Sequence, residues 1–276
     1  MKQKKKSFFV ISFLKYFICL RIETKRKTVL ICLFALLSLY ILLQLSQVNN
    51  LTVAKYFPGN HSIALVIAHP DDEAIFFSPT LLYLSKIKHF QMHVLCVTNG
   101  NFYGLGEVRS KELFRSCYEY GLEKEQVYLL NDDMFYDHPS IRWNNISMLA
   151  KKLELILEER SIDTVLSFGP YGCSGHPNHR DVHLTVRTLT SYRRFFMTDV
   201  CFLRYYGGIF EVIYTYFLSS EYKAFFLSWD VLKTFKAMSS HLSQFRYHWI
   251  LVRYVLINDW TVYDINARVG NELPAY

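Results

Sequence analysis

Residues 63–73 read IALVIAHPDDE and join an unbroken apolar run to one histidine and three acids. Five successive aliphatic residues, Ile63 to Ile67, predict a strand buried on both faces, as in a parallel sheet covered by helices. In open α/β sheets, ligands bind beyond the carboxyl ends of the strands, and the polar residues begin at that end. This stretch therefore predicts the fold class and the place of a functional site.

Short apolar runs and amphipathic stretches alternate after this first strand. The expected strands lie at 93–98, 126–130 and 163–168, and the expected helices open at Ser78-Pro79 and cover 107–120 and 145–160. Repeated β-α-β order predicts an α/β protein with a Rossmann-like, doubly wound, mostly parallel sheet. After Asp181 the expectations are a helix at 182–192, a strand at 200–203, and helices at 231–241 and 245–257.

The N-terminal region precedes the predicted sheet. Residues 29–45, VLICLFALLSLYILLQL, form an uncharged apolar run long enough to cross a bilayer with some tilt. The run is long and lacks a small-x-small cleavage site, so we expect a transmembrane anchor rather than a signal peptide. Residues 1–28 form a basic arm, in which the apolar stretch 8–20 predicts an interfacial segment. The folded α/β domain is expected over 60–260.

The net charge of +7 is concentrated in the basic arm. Nine Lys and Arg residues lie between Lys2 and Lys27 against the single acid Glu23, so the remaining chain is close to neutral. Such an arm suits an anionic membrane surface, and we expect no nucleic-acid partner. The mean hydropathy of +0.09 also indicates lipid contact. None of the six cysteines forms a Cys-x-x-Cys pair, so we expect reduced thiols.

A second polar cluster, Ser174-Gly175-His176-Pro177-Asn178-His179, follows the fourth predicted strand, at the same edge of the sheet as the first. Two histidines and one carboxylate with an open position are typical of catalytic zinc, which lowers the pKa of a coordinated water. A second carboxylate could take the water proton, and a remaining histidine could stabilise an oxyanion and protonate a leaving amine. Spacing alone permits either Asp71 or Asp72 as the metal ligand. We expect Cys173 to be an ordinary loop residue rather than a reactive thiol.

The other histidines lack such neighbours, and we expect them on the surface or in the core. They are His61, His89, His93, His138, His183, His241 and His248.

Four ordered blocks of the sequence resemble the LmbE-like deacetylases, and specifically the N-acetylglucosaminylphosphatidylinositol de-N-acetylases of glycosylphosphatidylinositol (GPI) anchor synthesis. The blocks are AHPDDE at 68–73, GNFYGLGEVRSKEL at 100–113, SGHPNH at 174–179 and KAMSSHLSQ at 236–244. The resemblance implies an LmbE-like fold and hydrolysis of the acetamide of N-acetylglucosaminylphosphatidylinositol, to glucosaminylphosphatidylinositol and acetate.

The resemblance also implies roles for individual residues. His69, Asp72 and His179 match metal ligands, with zinc as the expected metal. Asp71 matches the general base, and His176 matches the histidine that polarises the oxyanion and assists departure of the amine. Arg109 matches a position implicated in substrate binding, through phosphate, although it could instead cap an internal carboxylate. Glu73 is expected to support a metal ligand rather than to react.

The resemblance implies a single-pass protein of the endoplasmic reticulum membrane with a cytoplasmic catalytic domain. The positive-inside rule predicts the opposite orientation, because the basic arm precedes the anchor. Sequons at Asn50, Asn60 and Asn145 would be usable in a lumenal domain. We follow the family and leave the orientation open.

Two other functions are compatible with these residues. One is deacetylation of another N-acetyl sugar conjugate, although the anchor favours a lipid-linked substrate. The other is a non-catalytic membrane scaffold, which predicts an eroded metal set, whereas every member is present. We expect a glycolipid substrate in the membrane and no obligate protein partner.

Overall fold

The computed structural model of the chain describes residues 2–218, 223–244 and 252–263. The chain divides into two compact units, Met1–Val48 and Asn49–Tyr276. This division falls within the first helix, α1 (Lys2–Tyr56). The domain bounds expected at residues 28, 45 and 60 stay predictions.

Seven described strands form one mixed sheet in the order β3-β2-β1-β4-β5-β7-β6. The strands are β1 (His61–Ile67), β2 (Phe90–Cys96), β3 (Val127–Leu129), β4 (Thr164–Ser167), β5 (Arg193–Met197), β6 (Lys223–Leu227) and β7 (Ile257–Tyr263). The first five pair in parallel, and β7 lies antiparallel between β5 and β6. The prediction of a Rossmann-like, mostly parallel sheet is confirmed. The expected strand at 63–67 is central and almost fully buried, because both faces of β1 are covered.

Helices connect the strands of this sheet. After α1 they are α2 (Asp72–Phe76), α3 (Ser78–Leu84), α4 (Gly106–Glu119), α5 (Ile146–Glu159), α6 (Pro177–Thr188), α7 (Gly208–Leu218), α8 (Val231–Ser239) and α9 (Val252–Leu256). α5 buries Leu149, Leu153, Ile156 and Leu157, the apolar positions whose spacing predicts an amphipathic helix. α5 packs against α6, and α4 packs against α8.

The structure corrects several expectations after Asp181. The strand expected at 200–203 is wrong: β5 lies at Arg193–Met197, and a 3₁₀ helix covers Phe202–Tyr206. β5 begins with two arginines, so only three apolar residues remain, too few for the sequence pattern to predict a strand there. α6 begins at Pro177, five residues earlier than expected, because proline fits the first turn of a helix. Of the helix expected at 245–257, residues 245–251 lie outside the described part of the chain, and β7 begins at Ile257.

The prediction of an N-terminal apolar helix is confirmed. The most apolar 18-residue stretch within Leu30–Tyr56 of α1 has a mean hydropathy of 2.1, and this part of the helix is long and apolar enough to cross a membrane. The interfacial role expected for residues 8–20 depends on side chains outside the described ones. In the second unit, the last turns of α1 bond to the edge strand β6. The Asn49 side chain exchanges hydrogen bonds of 2.8 and 2.7 Å with the Leu227 backbone, which protects an edge that would otherwise be unpaired.

Candidate metal centre and active site

Two loops at the carboxyl edge of the sheet bring the sequence-predicted residues together. One loop follows β1 and carries His69 and Asp71, with Asp72 as the first residue of α2. The other follows β4 and ends at His176, with His179 in the first turn of α6. β1 and β4 are adjacent and parallel, so both loops emerge at the same edge. This is where an open α/β sheet binds its ligand.

Three side chains at this edge, His69, Asp72 and His179, form a triangle suited to a metal ion. His69 Nδ1 lies 3.2 Å from His179 Nε2. Asp72 Oδ1 lies 3.1 Å from His179 Nε2, and Asp72 Oδ2 lies 3.7 Å from His69 Nδ1. In a tetrahedral zinc site with bonds of about 2.0–2.1 Å, two ligand atoms are about 3.3 Å apart. The expected ligands therefore have the mutual spacing that a small divalent cation requires.

The hydrogen-bond partners of the two imidazoles assign their tautomers. His179 Nδ1 lies 2.9 Å from the Gly172 carbonyl oxygen, so this nitrogen carries the proton. His69 Nε2 faces two oxygens, Asn178 Oδ1 at 3.1 Å and Asp137 Oδ1 at 3.2 Å, and also carries a proton. In the neutral rings, unprotonated lone pairs of His69 Nδ1 and His179 Nε2 then face each other. A cation between them satisfies both lone pairs, so the donor set fits a metal.

The buried carboxylates around the His69 and His179 rings favour a positive charge between them. Burial alone would lower the pKa of His69, but the Asp137 and Asp72 carboxylates outweigh it and raise the pKa to about 10. Burial alone would raise the pKa of Asp72, but the His179 and His69 imidazoles hold it well below its usual range. A proton on His69 thus takes the place of a cation, and metal binding would displace that proton.

The backbone of the first loop is bent to separate its two aspartates. Asp71 has φ of 128°, a rare conformation for a residue with a side chain. Asp72 turns back and accepts the His69 N–H at 2.8 Å. Asp71 points elsewhere: its Oδ2 lies 3.1 Å from Arg109 Nη2. The two adjacent carboxylates therefore have different partners, imidazoles for Asp72 and a guanidinium for Asp71.

Asp71 has the electrostatic environment of a carboxylate that can exchange a proton. Burial raises its pKa to about 6, against the opposing effect of the Arg109 charge. A general base works best when its pKa lies near the working pH, because it is then mostly deprotonated and still basic enough to take a proton.

His176 is placed as a hydrogen-bond donor to the site. It is the N-cap of α6, and its Nδ1 accepts the Asn178 backbone N–H at 3.2 Å. In the neutral ring the proton is therefore on Nε2. Burial, together with the neighbouring His69 and His179, lowers the pKa of His176 to about 3 and keeps the ring neutral. Ligand atoms of the three histidines lie within 4.8 Å of one another, so a three-histidine ligand set is also geometrically available. We favour Asp72 as the third ligand because it makes the shorter contacts.

Arg109 makes the contacts of a residue that caps internal carboxylates. It is buried, and Nη1 and Nη2 contact the Gly100 and Pro70 carbonyl oxygens at 3.1 and 2.9 Å. Nη1 also lies 3.4 Å from Asp137. These contacts support the second of the two roles expected for Arg109, and its binding of substrate phosphate stays a prediction.

The loop before His176 needs glycine at Gly172. This residue has φ of 68°, and a Cβ atom there would lie 2.5 Å from the Cβ of His179. The neighbouring Cys173 is buried, and burial raises the pKa of its thiol well above the usual range. A buried, protonated thiol is inert, which agrees with the expectation of an ordinary loop residue.

Comparison with known proteins identifies the family. A family model described as PIG-L: GlcNAc-PI de-N-acetylase matches residues 64–190, a range that includes all six predicted site residues. The N-acetylglucosaminyl-phosphatidylinositol de-N-acetylase of Bos taurus is 33% identical to this chain over 211 residues, covering 72% of this chain and 83% of that protein. The chain belongs to this de-N-acetylase family. The resemblance drawn from the four sequence blocks is confirmed.

A second relative matches over most of its length, and a solved structure shares the fold of this de-N-acetylase family member. The N-acetylglucosaminyl-phosphatidylinositol de-N-acetylase of Saccharomyces cerevisiae is 27% identical and covers 86% of this chain and 93% of that protein. Among solved structures, N,N'-diacetylchitobiose deacetylase from Pyrococcus horikoshii superposes with a TM-score of 0.55, covering 79% of this chain and 91% of that one. At 16% identity this likeness shows the fold alone.

The sequence analysis assigned no role in the site to three of its polar residues. Asp137 and Asn178 hold the outer nitrogen of His69, as described above. His241 lies buried against Glu73, with Nε2 2.5 Å from Oε1. The available signal for Asp137 was its position after β3, a strand that ends at the same edge. His241 was expected to be an ordinary surface or core histidine, and its carboxylate partner is 168 residues away in the sequence.

Glu73 links His241 to the proposed base. Its Oε2 accepts the Asp71 backbone N–H at 3.0 Å, and its Oε1 also accepts the Ser116 hydroxyl at 2.5 Å. Glu73 therefore supports the loop that carries both aspartates, rather than facing the metal triangle.

Proposed function

We propose that this chain is a zinc-dependent hydrolase that converts N-acetylglucosaminylphosphatidylinositol into glucosaminylphosphatidylinositol and acetate, the second step of GPI anchor biosynthesis. The observation that carries this proposal is the convergence of His69 Nδ1, Asp72 and His179 Nε2, with Asp71 beside them, in a member of the de-N-acetylase family. The names of the relatives support the substrate, and the donor set supports the metal.

His69, Asp72 and His179 would hold the metal, which when bound supplies Lewis acidity to the acetamide and to the attacking water. Asp71 takes a proton from that water, and the contact of its Oδ2 with Arg109 orients the carboxylate for this step. His176 donates its Nε2 proton in a hydrogen bond to the oxygen that becomes negative. As the C–N bond breaks, the proton that Asp71 took from the water passes to the departing sugar amine, and the water oxygen stays on the acetate.

A cavity of about 410 Å³ adjoins this site and could receive the sugar. Its wall includes Asp137, Asn99, Asn101 and the ring of Phe102. Amides and carboxylates match sugar hydroxyls, and an aromatic ring matches the apolar face of a hexose. We assign the glucosamine ring to this cavity.

The deciding assay uses the purified full chain and measures acetate release from N-acetylglucosaminylphosphatidylinositol, with and without a chelator. Release that the chelator abolishes and added zinc restores supports the proposal. Release from a soluble N-acetyl sugar, with none from the lipid, would instead support the alternative substrate class. Chelator-insensitive release would contradict metal dependence.

We also propose that the protein is a single-pass protein of the endoplasmic reticulum membrane, with a glycolipid substrate and no nucleic-acid or obligate protein partner. The candidate span in α1 supports a membrane location. We retain a cytoplasmic catalytic domain, against the charge bias. All three sequon asparagines, Asn50, Asn60 and Asn145, are exposed, so a lumenal domain would be open to glycosylation. A mass shift on endoglycosidase treatment, or protease protection in sealed microsomes, would overturn the cytoplasmic assignment.

A further inference from the structure

The segment Phe202–Leu218 has an exposed apolar surface. It comprises the 3₁₀ helix Phe202–Tyr206 and α7, and we call the side chains it exposes the aromatic surface. Its exposed members are Phe202, Leu203, Tyr206, Ile209, Phe210, Tyr214 and Phe217. The side chains of Leu203 and Phe210 are 81% and 78% exposed, so little of their apolar surface is covered by the protein. Contiguous exposed apolar side chains of this kind mark an interaction site.

The charges of the same segment are neutralised within the protein. Its only charged residues are Arg204 and Glu211. Glu211 is buried and lies 2.5 Å from Arg204 Nη2 and 2.9 Å from Arg253 Nε. The Arg204 guanidinium also lies 4.7 Å from the centre of the Tyr214 ring. The aromatic surface therefore presents phenyl, phenol and aliphatic groups without an unpaired charge. That chemistry matches the boundary between lipid headgroups and acyl chains, where tyrosine is enriched.

The aromatic surface is connected to the candidate active site. The Tyr205 hydroxyl donates a hydrogen bond to the Cys173 carbonyl oxygen, in the loop that leads to His176. Tyr205 also contacts Tyr254, with ring centres 5.6 Å apart, and Tyr254 packs on Phe76. Phe76 in turn contacts the ring of His179, with centres 5.7 Å apart. A molecule bound at the aromatic surface would therefore lie next to the catalytic loop.

We propose that the aromatic surface inserts into the headgroup–acyl boundary of a lipid bilayer and holds the active site against the membrane. The occupant is lipid rather than a protein, because the surface lacks unpaired charge and because the same chain carries a candidate span that would tether the domain at a bilayer. An anchor alone keeps the domain near the membrane, whereas the aromatic surface orients it. For the lipid substrate, this inference rests on the proposed function.

Lipid contact can be measured without any enzyme activity. The full chain is reconstituted in phosphatidylcholine vesicles with increasing amounts of acyl-brominated phosphatidylcholine, which quenches tryptophan at bilayer depth. The variants are Phe210→Trp and Leu203→Trp, and the matched control is Leu155→Trp, at an exposed position of α5. We expect the added emission at 210 and 203 to fall about twofold, as for side chains that enter the acyl boundary. Quenching no greater than at 155 would overturn the proposal and would favour a protein occupant.

An activity measurement separates docking from chemistry. Phe210→Asp should lower kcat/KM about tenfold on the lipid substrate in vesicles, because one large apolar side chain no longer enters lipid. The same variant should leave turnover of a short-chain, water-soluble analogue unchanged, and Leu155→Asp should change neither. Equal losses on both substrates would contradict a docking role. If the wild-type chain turns over neither substrate, the proposed function fails, while the quenching experiment still decides the membrane contact.

Discussion

Replacing His241 by glutamine removes the positive partner of a buried carboxylate. His241 and Glu73 are both fully buried, and their contact of 2.5 Å is the closest that Glu73 makes, together with Ser116. The pKa of His241 is raised: burial alone would lower it, but the Glu73 carboxylate outweighs burial and favours the charged form of the ring. His241→Gln keeps a similar shape but leaves Glu73 without this charge.

The expected loss follows from the burial of the pair. Removing one partner of a buried ion pair costs about 3–5 kcal/mol, because the other charge remains without compensation. The amide of the introduced glutamine can return one hydrogen bond, and the Ser116 hydroxyl and Asp71 N–H remain, so we expect the low end, about 3 kcal/mol. The double change Glu73→Gln with His241→Gln removes both charges, and we expect it to be less destabilising than the sum of the two single changes.

Urea unfolding of the full chain in detergent micelles, followed by tryptophan fluorescence, measures this loss. The matched control is His93→Gln on β2. His93 is also buried, but no ion pair with it is found among the described residues, and burial lowers its pKa, with Arg160 adding to the effect. A neutral buried histidine should cost less, about 1 kcal/mol. The reasoning is refuted if His241→Gln destabilises the protein no more than His93→Gln.

The same variant should also affect catalysis. Glu73 accepts the Asp71 N–H, so a displaced Glu73 lets the proposed base move. We expect kcat to fall while metal content stays unchanged. Loss of metal together with activity would show that His241 supports the metal triangle rather than Asp71.

Four further changes test the site and its surroundings. Asp71→Asn should retain metal yet lose at least about 100-fold in turnover, since the base is gone, and near-normal turnover would remove Asp71 from that role. His179→Ala should lose both metal and activity, and unchanged metal content by elemental analysis would show that the ligand set is wrong. Asp137→Asn should weaken metal affinity about 10- to 100-fold in a chelator competition, because this carboxylate orients His69, whereas equal affinity would contradict that link. Burial lowers the pKa of His183 from 6.5 to about 4, so the folded state binds fewer protons than the unfolded state between these values. Wild-type stability should therefore fall by up to about 3 kcal/mol from pH 6.5 toward pH 4 through this group, and His183→Gln should flatten that part of the pH profile.

Local patterns in the sequence were enough to predict the first half of the sheet. The apolar run at 63–67 is short and continuous, the stretch at 163–168 centres on Val165 and Leu166, and a polar cluster follows each of them. Strand burial and strand ends are encoded within a few residues, so these runs predict both β1 and β4 and the edge where the two loops meet. The candidate membrane anchor can also be predicted from the sequence alone, because a continuous run of apolar residues of sufficient length is enough to indicate it.

The C-terminal half required the tertiary structure. The antiparallel insertion of β7 between β5 and β6 depends on pairing between distant segments, and aromatic residues occur both in the helices and in the strands of this half. No local period distinguishes them. The prediction of a strand at 200–203 was wrong because Phe202 and Leu203 are exposed on the protein surface, in a 3₁₀ helix, and do not pair in the sheet.

The candidate site divides in the same way. The sequence by itself determined that histidines and carboxylates follow two strands, and family resemblance assigned their roles. Only the tertiary structure showed that Asp72 faces the two imidazoles while Asp71 faces Arg109, and that Asp137 and His241 belong to the surroundings. The physical reason is that a sequence pattern shows only which residues are close along the chain, not which distant residues meet in the folded protein. The partner that sets a tautomer or compensates a buried charge is chosen by packing across the sheet.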